Sequence, residues 1–277
     1  METIFSKNKW RFIDQSISAN HASPLESFAT DDTLCHVVGQ GMSTPTIRTW
    51  VHHDAVVLGI QDHRLPHIEA GMQQLEKNGY IPIVRNSGGL AVVLDHGVLN
   101  ISIILNELEP LSINAAFDVM VDFIRALFPE IAEQIEVYEI VGSYCPGSYD
   151  LSVGGKKFAG ISQRRMKNGI AVQIYLCVEG DGSARAELIK DFYAQGLKGE
   201  QTKFDYPSIK PEVMASLAQL MDEPLTVAEV NQRIVQLIAQ WNDKLMIQPL
   251  QGEELDLYSY YLERIFKRNA MLLNKTT

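Results

Sequence analysis

Cys145 stands in a stretch that cannot be regular secondary structure, GSYCPGSYD over residues 142–150. Gly142 lies three positions before it, and Pro146-Gly147, a turn-forming pair, follows at once. A short apolar strand begins near Tyr149, turns at Gly154-Gly155, and returns over residues 156–165 with Lys156 and Lys157 at its head. A thiol on a turn facing such a hairpin is placed for thiolate chemistry. Free cysteine titrates near ~8.5, and a close ammonium favours the charged, nucleophilic form. Adjacent strand residues point to opposite faces, so only one of the two lysines can serve. The competing reading makes Cys145 a small buried hydrophobe and the lysines an ordinary solvated turn.

A second candidate cluster lies upstream. Arg85-Asn86-Ser87-Gly88-Gly89 joins two strand-like runs, 81–85 and 90–94, and Asp95-His96-Gly97 turns the chain into a third, 98–105. A glycine pair marks a bulge, or a place where backbone passes close to a neighbouring strand or a ligand. Neither a Walker loop nor a GxGxxG occurs, so nothing local points to a nucleotide.

The elements that must position these clusters can be read in order. An opening strand or arm covers 10–13. Ser23-Pro24-Leu25-Glu26 has a serine N-cap, proline at the first helical position and glutamate at N3, and the helix it starts should stop at Gly39-Gln40-Gly41. Runs 46–52 and 55–60 read as an antiparallel strand pair. A helix follows over 66–78, and a strongly amphipathic one over 112–128, where Phe117, Met120, Val121, Ile124 and Leu127 recur at helical steps. Strands are expected at 135–140 and 170–178, the latter entered through an Asn168-Gly169 turn, and a helix at 184–197. Beyond a polar loop over 198–210, helices are expected at 212–221, 226–241 and 257–273, the second opened by a Thr226/Glu229 capping box. Strands interrupted by helices without regular βαβ alternation argue for an α+β fold.

Composition narrows the field. The chain has 277 residues, 46% hydrophobic, and its longest apolar runs fall short of the ~20 residues a membrane span needs. The opening METIFSKNKWRF lacks the apolar core of a signal peptide, so the expected location is cytoplasmic. Cys35, Cys145 and Cys177 make an odd number without CxxC spacing, against a disulfide framework or a zinc site, and Cys35 and Cys177 read as core. The histidines offer no second ligand at helical spacing from His52-His53, so no metal is expected. A formal charge of −10 disfavours nucleic acid as a partner. Docking of another acidic protein would need a local basic patch, for which Arg164, Arg165 and Lys167, with Arg185 and Lys190, are candidates; a solvated charged face is the alternative.

The wording around Cys145, from Tyr144-Cys145-Pro146-Gly147 through Lys156-Lys157-Phe158-Ala159-Gly160 to Ile161-Ser162-Gln163-Arg164-Arg165, resembles the active-site region of the lipoate/octanoate protein transferases, relatives of the lipoate and biotin protein ligases. The upstream cluster is similar to the acyl-binding RRxGGG…HDxGxLN pattern of that family, with Asn86 at the second arginine, Leu90 at the third glycine and Asp95-His96 in reversed order. The resemblance covers residues from about 10 to 197. It implies a biotin/lipoate ligase-like catalytic domain, with a mixed, mainly antiparallel sheet flanked by helices. That domain is expected over residues 1–200 (core about 42–200), with a helical C-terminal extension over 201–277 packed on it.

The branch most resembled is an amidotransferase that moves octanoyl groups from the glycine cleavage H protein to lipoyl domains of 2-oxoacid dehydrogenase E2 subunits, with no cofactor. Carried over residue by residue, the resemblance implies Cys145 as the acyl-accepting nucleophile and Lys157 as the lysine that assists it. It implies acyl binding by Arg85, Ser87, Gly88 and Gly89, by Asp95, His96 and Asn100, and by Lys156, Gly160 and Gln163. Three rival functions remain at this stage: an ATP-dependent lipoate ligase that would not need Cys145, an octanoyltransferase fed by acyl carrier protein, and a carrier-protein binding module without catalysis.

Overall fold

The computed structural model describes residues 4–7, 9–17, 23–86, 88–107, 111–241 and 245–273. In chain order the elements are α1 (Ile4–Lys7), β1 (Arg11–Gln15), α2 (Pro24–Gly39), β2 (Thr46–Trp50), β3 (Ala55–Leu58), α3 (Ile68–Lys77), β4 (Ile81–Val84), β5 (Val92–Leu94), β6 (Val98–Asn106) and α4 (Ile113–Leu127). They continue with β7 (Glu136–Val137), β8 (Asp150–Val153), β9 (Lys156–Met166), β10 (Gly169–Cys177), α5 (Gly182–Leu197), α6 (Leu217–Met221), α7 (Val227–Trp241), β11 (Met246–Ile247) and α8 (Glu253–Leu273).

Two sheets result. The larger has eight strands in the order β11-β1-β2-β6-β10-β9-β8-β7, and the smaller three in the order β4-β3-β5. The large sheet is antiparallel from β2 outward to β7, and β1 pairs in parallel with β2 and β11. The fold is therefore α+β with a mixed, mainly antiparallel sheet, as the sequence implies.

Strands 46–50 and 55–58 do not form the antiparallel pair expected of them. Asp54, in left-handed backbone at φ 49°, ends the connection and sends β3 into the small sheet, between β4 and β5. The four residues of β3 are all buried. A strand apolar on both faces gains most at the centre of a sheet, and sequence proximity cannot outweigh that.

Smaller departures have similar causes. Gly169 is not a turn residue; Lys167 and Asn168 make the turn, with φ of 52° and 62°. Gly169 lies where a Cβ would fall 2.0 Å from the carbonyl oxygen of Cys35, so the glycine lets α2 pack onto the sheet. Residues 211–213 form a single 3₁₀ turn, and the helix beyond starts from a separate capping box of Ser216 and Gln219. The strand expected at 135–140 shrinks to the two residues of β7. The capping boxes at Ser23/Glu26 and Thr226/Glu229 are both formed.

One face of the large sheet is covered by α4 and α7, whose Met120, Phe123, Ile124, Ile234 and Ile238 join Phe12, Ile47, Ile103 and Val172 in the main core. The other face meets α2, on which α8 packs in turn. Cys35 and Cys177 are fully buried, and burial pushes both thiols up from the usual cysteine range, consistent with core roles. Asn269 of α8 donates to the carbonyl of Val84 at 2.6 Å, bracing β4 just before Arg85. Among the described residues no helix is long and apolar enough to cross a membrane.

Candidate active site

The turn carrying Cys145 is built from below. Gly142, at φ 93°, accepts a backbone bond from Lys210, and Ser143 donates back to Ile140. Tyr144 is fully buried, its hydroxyl 3.8 Å from the Cys177 sulfur. These anchors hold Cys145 itself at φ 45°, a region that a non-glycine residue enters only when its surroundings impose it.

Lys157 supplies much of that imposition. The β8–β9 hairpin turns it inward and Lys156 outward: Lys157 is fully buried and Lys156 exposed. The Lys157 ammonium donates to the carbonyls of Tyr144 (3.0 Å) and Cys145 (2.9 Å) and to Ser143 Oγ (3.3 Å), and pairs with Asp150 at 2.8 Å. Burial pushes the Asp150 carboxyl up, with the Lys157 ammonium and the amides of Ile140 and Gly147 pulling against it. The donors of this lysine are thus spent on the backbone of the turn and on one carboxylate.

The sulfur faces the other cluster. Leu90 N–H donates to Cys145 Sγ at 3.3 Å, and Arg85 Nη2 lies 3.4 Å from it while also bonding the Leu90 carbonyl. Gly89 makes this possible: it has φ 109°, and a Cβ there would sit 2.3 Å from Arg85 Nη2. Behind the loop, Asp62 accepts from Gly59 N–H (2.7 Å) and from Tyr193 OH (2.8 Å). Burial pushes its carboxyl up to about 6, with the Gly59 amide, the Tyr193 hydroxyl and Arg85 opposing the rise.

Cys145 opens onto a cavity of about 340 Å³. Its apolar wall includes Phe28, Trp50, Val57, Val92 and Leu94, and polar groups from Arg85, Asn100, Gln173 and Tyr175 face it too. Concave, mainly apolar and bearing a few placed polar groups, it has the character of a site for a small apolar ligand. Beneath Gln173 a buried network fixes the floor: Asp31 pairs with Arg48 at 2.8 Å and accepts from Ser102 and Gln173.

The chain matches the lipoyl protein ligase A/B catalytic domain over residues 23–239. It is 63% identical to an octanoyl-[GcvH]:protein N-octanoyltransferase of Lysinibacillus sphaericus, over 99% of each chain. This chain belongs to that family. It is also 47% identical, over 98% of each chain, to a lipoyl-[GcvH]:protein N-lipoyltransferase of Listeria monocytogenes. Among solved structures, lipoate-protein ligase A bound with ATP superposes with a TM-score of 0.66 at 18% identity, over 92% of this chain and 94% of the other. At that identity the likeness establishes the fold alone.

With the family in hand, the expected site residues sort by position. Arg85, Gly88, Gly89, Asn100, Gly160 and Gln163 line the cavity with Cys145. Asp95 and His96 do not. Asp95 is buried in an ion pair with Arg185 (2.6 and 2.8 Å) and caps Gly97, so its motif position builds a turn, not a ligand wall. His96 is exposed, beside the ring of His53. Lys156 lies on the outer face, and Ser87 falls outside the described residues. Of the basic-patch residues, Arg185 is buried, Arg164 pairs with Asp32, Arg165 with Glu107 at 2.5 Å and Lys190 with Glu187 at 2.8 Å; Lys167 is exposed. These pairings use up most of the charge that a docking patch would present.

Sequence reasoning missed Trp50, Phe28, Gln173 and Tyr175. One trace of the last two was there to read: Gln173 interrupts the apolar run of β10, and Tyr175, two positions on, shares its face.

Proposed function

We propose that this protein transfers an octanoyl group from a lysine of the glycine cleavage H protein to a lysine of a lipoyl domain, through a thioester on Cys145. The observation that carries the reading is the Cys145 sulfur, seated between an amide N–H and a guanidinium at the wall of an apolar cavity. The names of the relatives supply the donor. In the first half-reaction the thiolate attacks the amide carbonyl carbon, the C–N bond breaks, and the released lysine amine takes up the proton given up by the thiol. In the second, the amine of the acceptor lysine attacks the thioester and returns the proton to sulfur.

Lys157 serves this chemistry by holding the Cys145 turn in its left-handed conformation, and its ammonium adds positive charge beneath it. Arg85 and the Leu90 amide stabilise the thiolate directly. Gly88, Gly89, Asn100, Gly160 and Gln163 shape the acyl site, and the exposed Lys167, next to the carboxylate-paired Arg164 and Arg165, is the cation left to meet the protein substrates. The reaction takes place in the cytoplasm. Residues 1–200 carry all of these groups, and 201–277 act as a helical extension that braces them, as Asn269 does for β4.

Donor and acceptor bonds are both acyl-lysine amides, so the exchange is near equilibrium, runs in both directions and needs no nucleotide. The test gives the protein an octanoylated lipoyl domain and unmodified H protein without ATP, and follows the octanoyl mass. Transfer to the H protein that is lost in Cys145→Ala is the expected result. A strict need for ATP, label moving only from acyl carrier protein, or full activity of Cys145→Ala would sink the reading. The Listeria relative's name favours one variant of it, a lipoyl group carried on the same cysteine, and a lipoylated H protein run in parallel distinguishes the two.

A further inference from the structure

Tyr175 lies on β10, 8% exposed, and lines the same cavity as Cys145. Its hydroxyl is buried and finds no hydrogen-bond partner among the described residues. Buried hydroxyls are almost always satisfied, so an enclosed one without a partner, on a residue that lines a ligand cavity, points to the ligand.

The ring around that hydroxyl is fixed from three sides. It stacks on Tyr144, with ring centroids 5.9 Å apart and planes inclined by 26°. The Lys157 ammonium stands 5.7 Å from its centroid. It also lies across Gly160, where an added Cβ would come 2.7 Å from Cε1 and 3.3 Å from the hydroxyl oxygen. Tyr144 and Lys157 belong to the machinery that sets the Cys145 turn, so the phenol is registered against the nucleophile.

We propose that Tyr175 donates a hydrogen bond to the carbonyl oxygen of the acyl group as that group moves onto and off Cys145. The inference rests on the acyl transfer proposed above. As the sulfur–carbon bond forms, the C=O π pair moves onto oxygen, and that oxyanion accepts the phenolic O–H. As the pair returns, the C–N bond breaks and the amine leaves with the proton lost by the thiol; Tyr175 keeps its own proton throughout. The phenol suits a donor that never ionises. Burial, then the neighbouring Tyr144 hydroxyl, Asp150 and the two cysteines Cys177 and Cys145, all push it well above the usual tyrosine range.

The role fits the division of labour around the sulfur. The Leu90 amide and the Arg85 Nη2 point at Sγ, and Lys157 at backbone carbonyls, so none of these bonds is aimed at a carbonyl oxygen carried by the sulfur. Stabilising an oxyanion with a fixed donor is among the largest contributions an acyl-transfer site makes.

The test is Tyr175→Phe, which keeps the ring and its packing and removes the hydroxyl. With octanoylated H protein as donor, kcat should fall on the order of 10²-fold, as for loss of a single oxyanion donor. KM should stay within about twofold, the melting temperature should hold or rise, and Cys145 should react with iodoacetamide at the wild-type rate. Wild-type kcat alongside an inactive Cys145→Ala overturns this inference and leaves the acyl transfer standing. So does a raised KM at unchanged kcat, or a loss of iodoacetamide reactivity equal to the loss of turnover. Full activity of Cys145→Ala overturns the acyl transfer and this inference with it.

Discussion

The two walls that meet at Cys145 are built on opposite principles. Around Lys157, on the β8–β9 hairpin side, the polar groups satisfy one another: its ammonium meets two backbone carbonyls, Ser143 Oγ and Asp150, whose other oxygen takes the Ile140 amide. On the loop side, after β4, valences are left open. Arg85 Nε is buried with no partner among the described residues and the Leu90 amide ends on the sulfur, while Asp62, in an environment that resists charge, closes the loop from behind by accepting from Gly59 and Tyr193. Saturated networks hold shape, whereas open donors hold ligands. Lys157 thus stands on the wall that fixes geometry, and Arg85 stands on the wall that touches the sulfur.

Four substitutions test that contrast, taken from the largest expected effect down. Lys157→Ala should be the most damaging to stability, costing about 3–5 kcal/mol, because it strands the buried Asp150 carboxylate. Chemical denaturation measures it, and a variant as stable as wild type would remove the hairpin's structural role.

Asp62→Asn addresses the loop wall through pH. The folded protein holds the Asp62 proton up to about 6, above the ordinary carboxyl value of ~3.9 expected in the unfolded chain. Stability from this group therefore falls as pH rises from about 4 to about 6, by on the order of 3 kcal/mol, and is flat above. Asparagine keeps an acceptor for Gly59 and a partner for Tyr193. The difference in melting temperature, variant minus wild type, should grow more positive across that window; a constant difference would mean the carboxyl is not raised.

Gly160→Ala would press a methyl into the Tyr175 ring, which Tyr144 backs from behind. Overpacking of this kind costs about 1–3 kcal/mol. The melting temperature should drop with turnover, while Lys157-dependent geometry survives, visible as unchanged alkylation of Cys145.

Arg85→Gln should have the smallest effect on free energy and the most specific one. Removing a guanidinium 3.4 Å from the sulfur takes away a charged donor beside it, so alkylation of Cys145 at fixed pH should slow. Stability should change little. If alkylation instead slows only in a folded Lys157 variant, the two walls have exchanged roles.

Much of this molecule could be read from local residue patterns because the physics is local. Capping boxes at Ser23 and Thr226 need only four residues, and the stripe of α4 needs only its own period. The Cys145 turn was announced by Pro146-Gly147, and strand alternation already required that only one of the two lysines serve, without saying which. What the amino-acid order left open was every question about partners distant in the chain. Whether β2 pairs with β3 depends on the burial both strands find elsewhere. Whether Asp95 faces an acyl chain or Arg185 depends on where α5, 90 residues on, lays its first turn. That Arg85, 60 residues before Cys145, reaches the sulfur while Lys157, 12 residues after it, holds the backbone follows from how the two sheets meet. Local propensity decides which residues turn, coil or extend; only the closing of the tertiary structure decides which charges touch, because side-chain reach is a few ångströms and chain separation sets no limit on it.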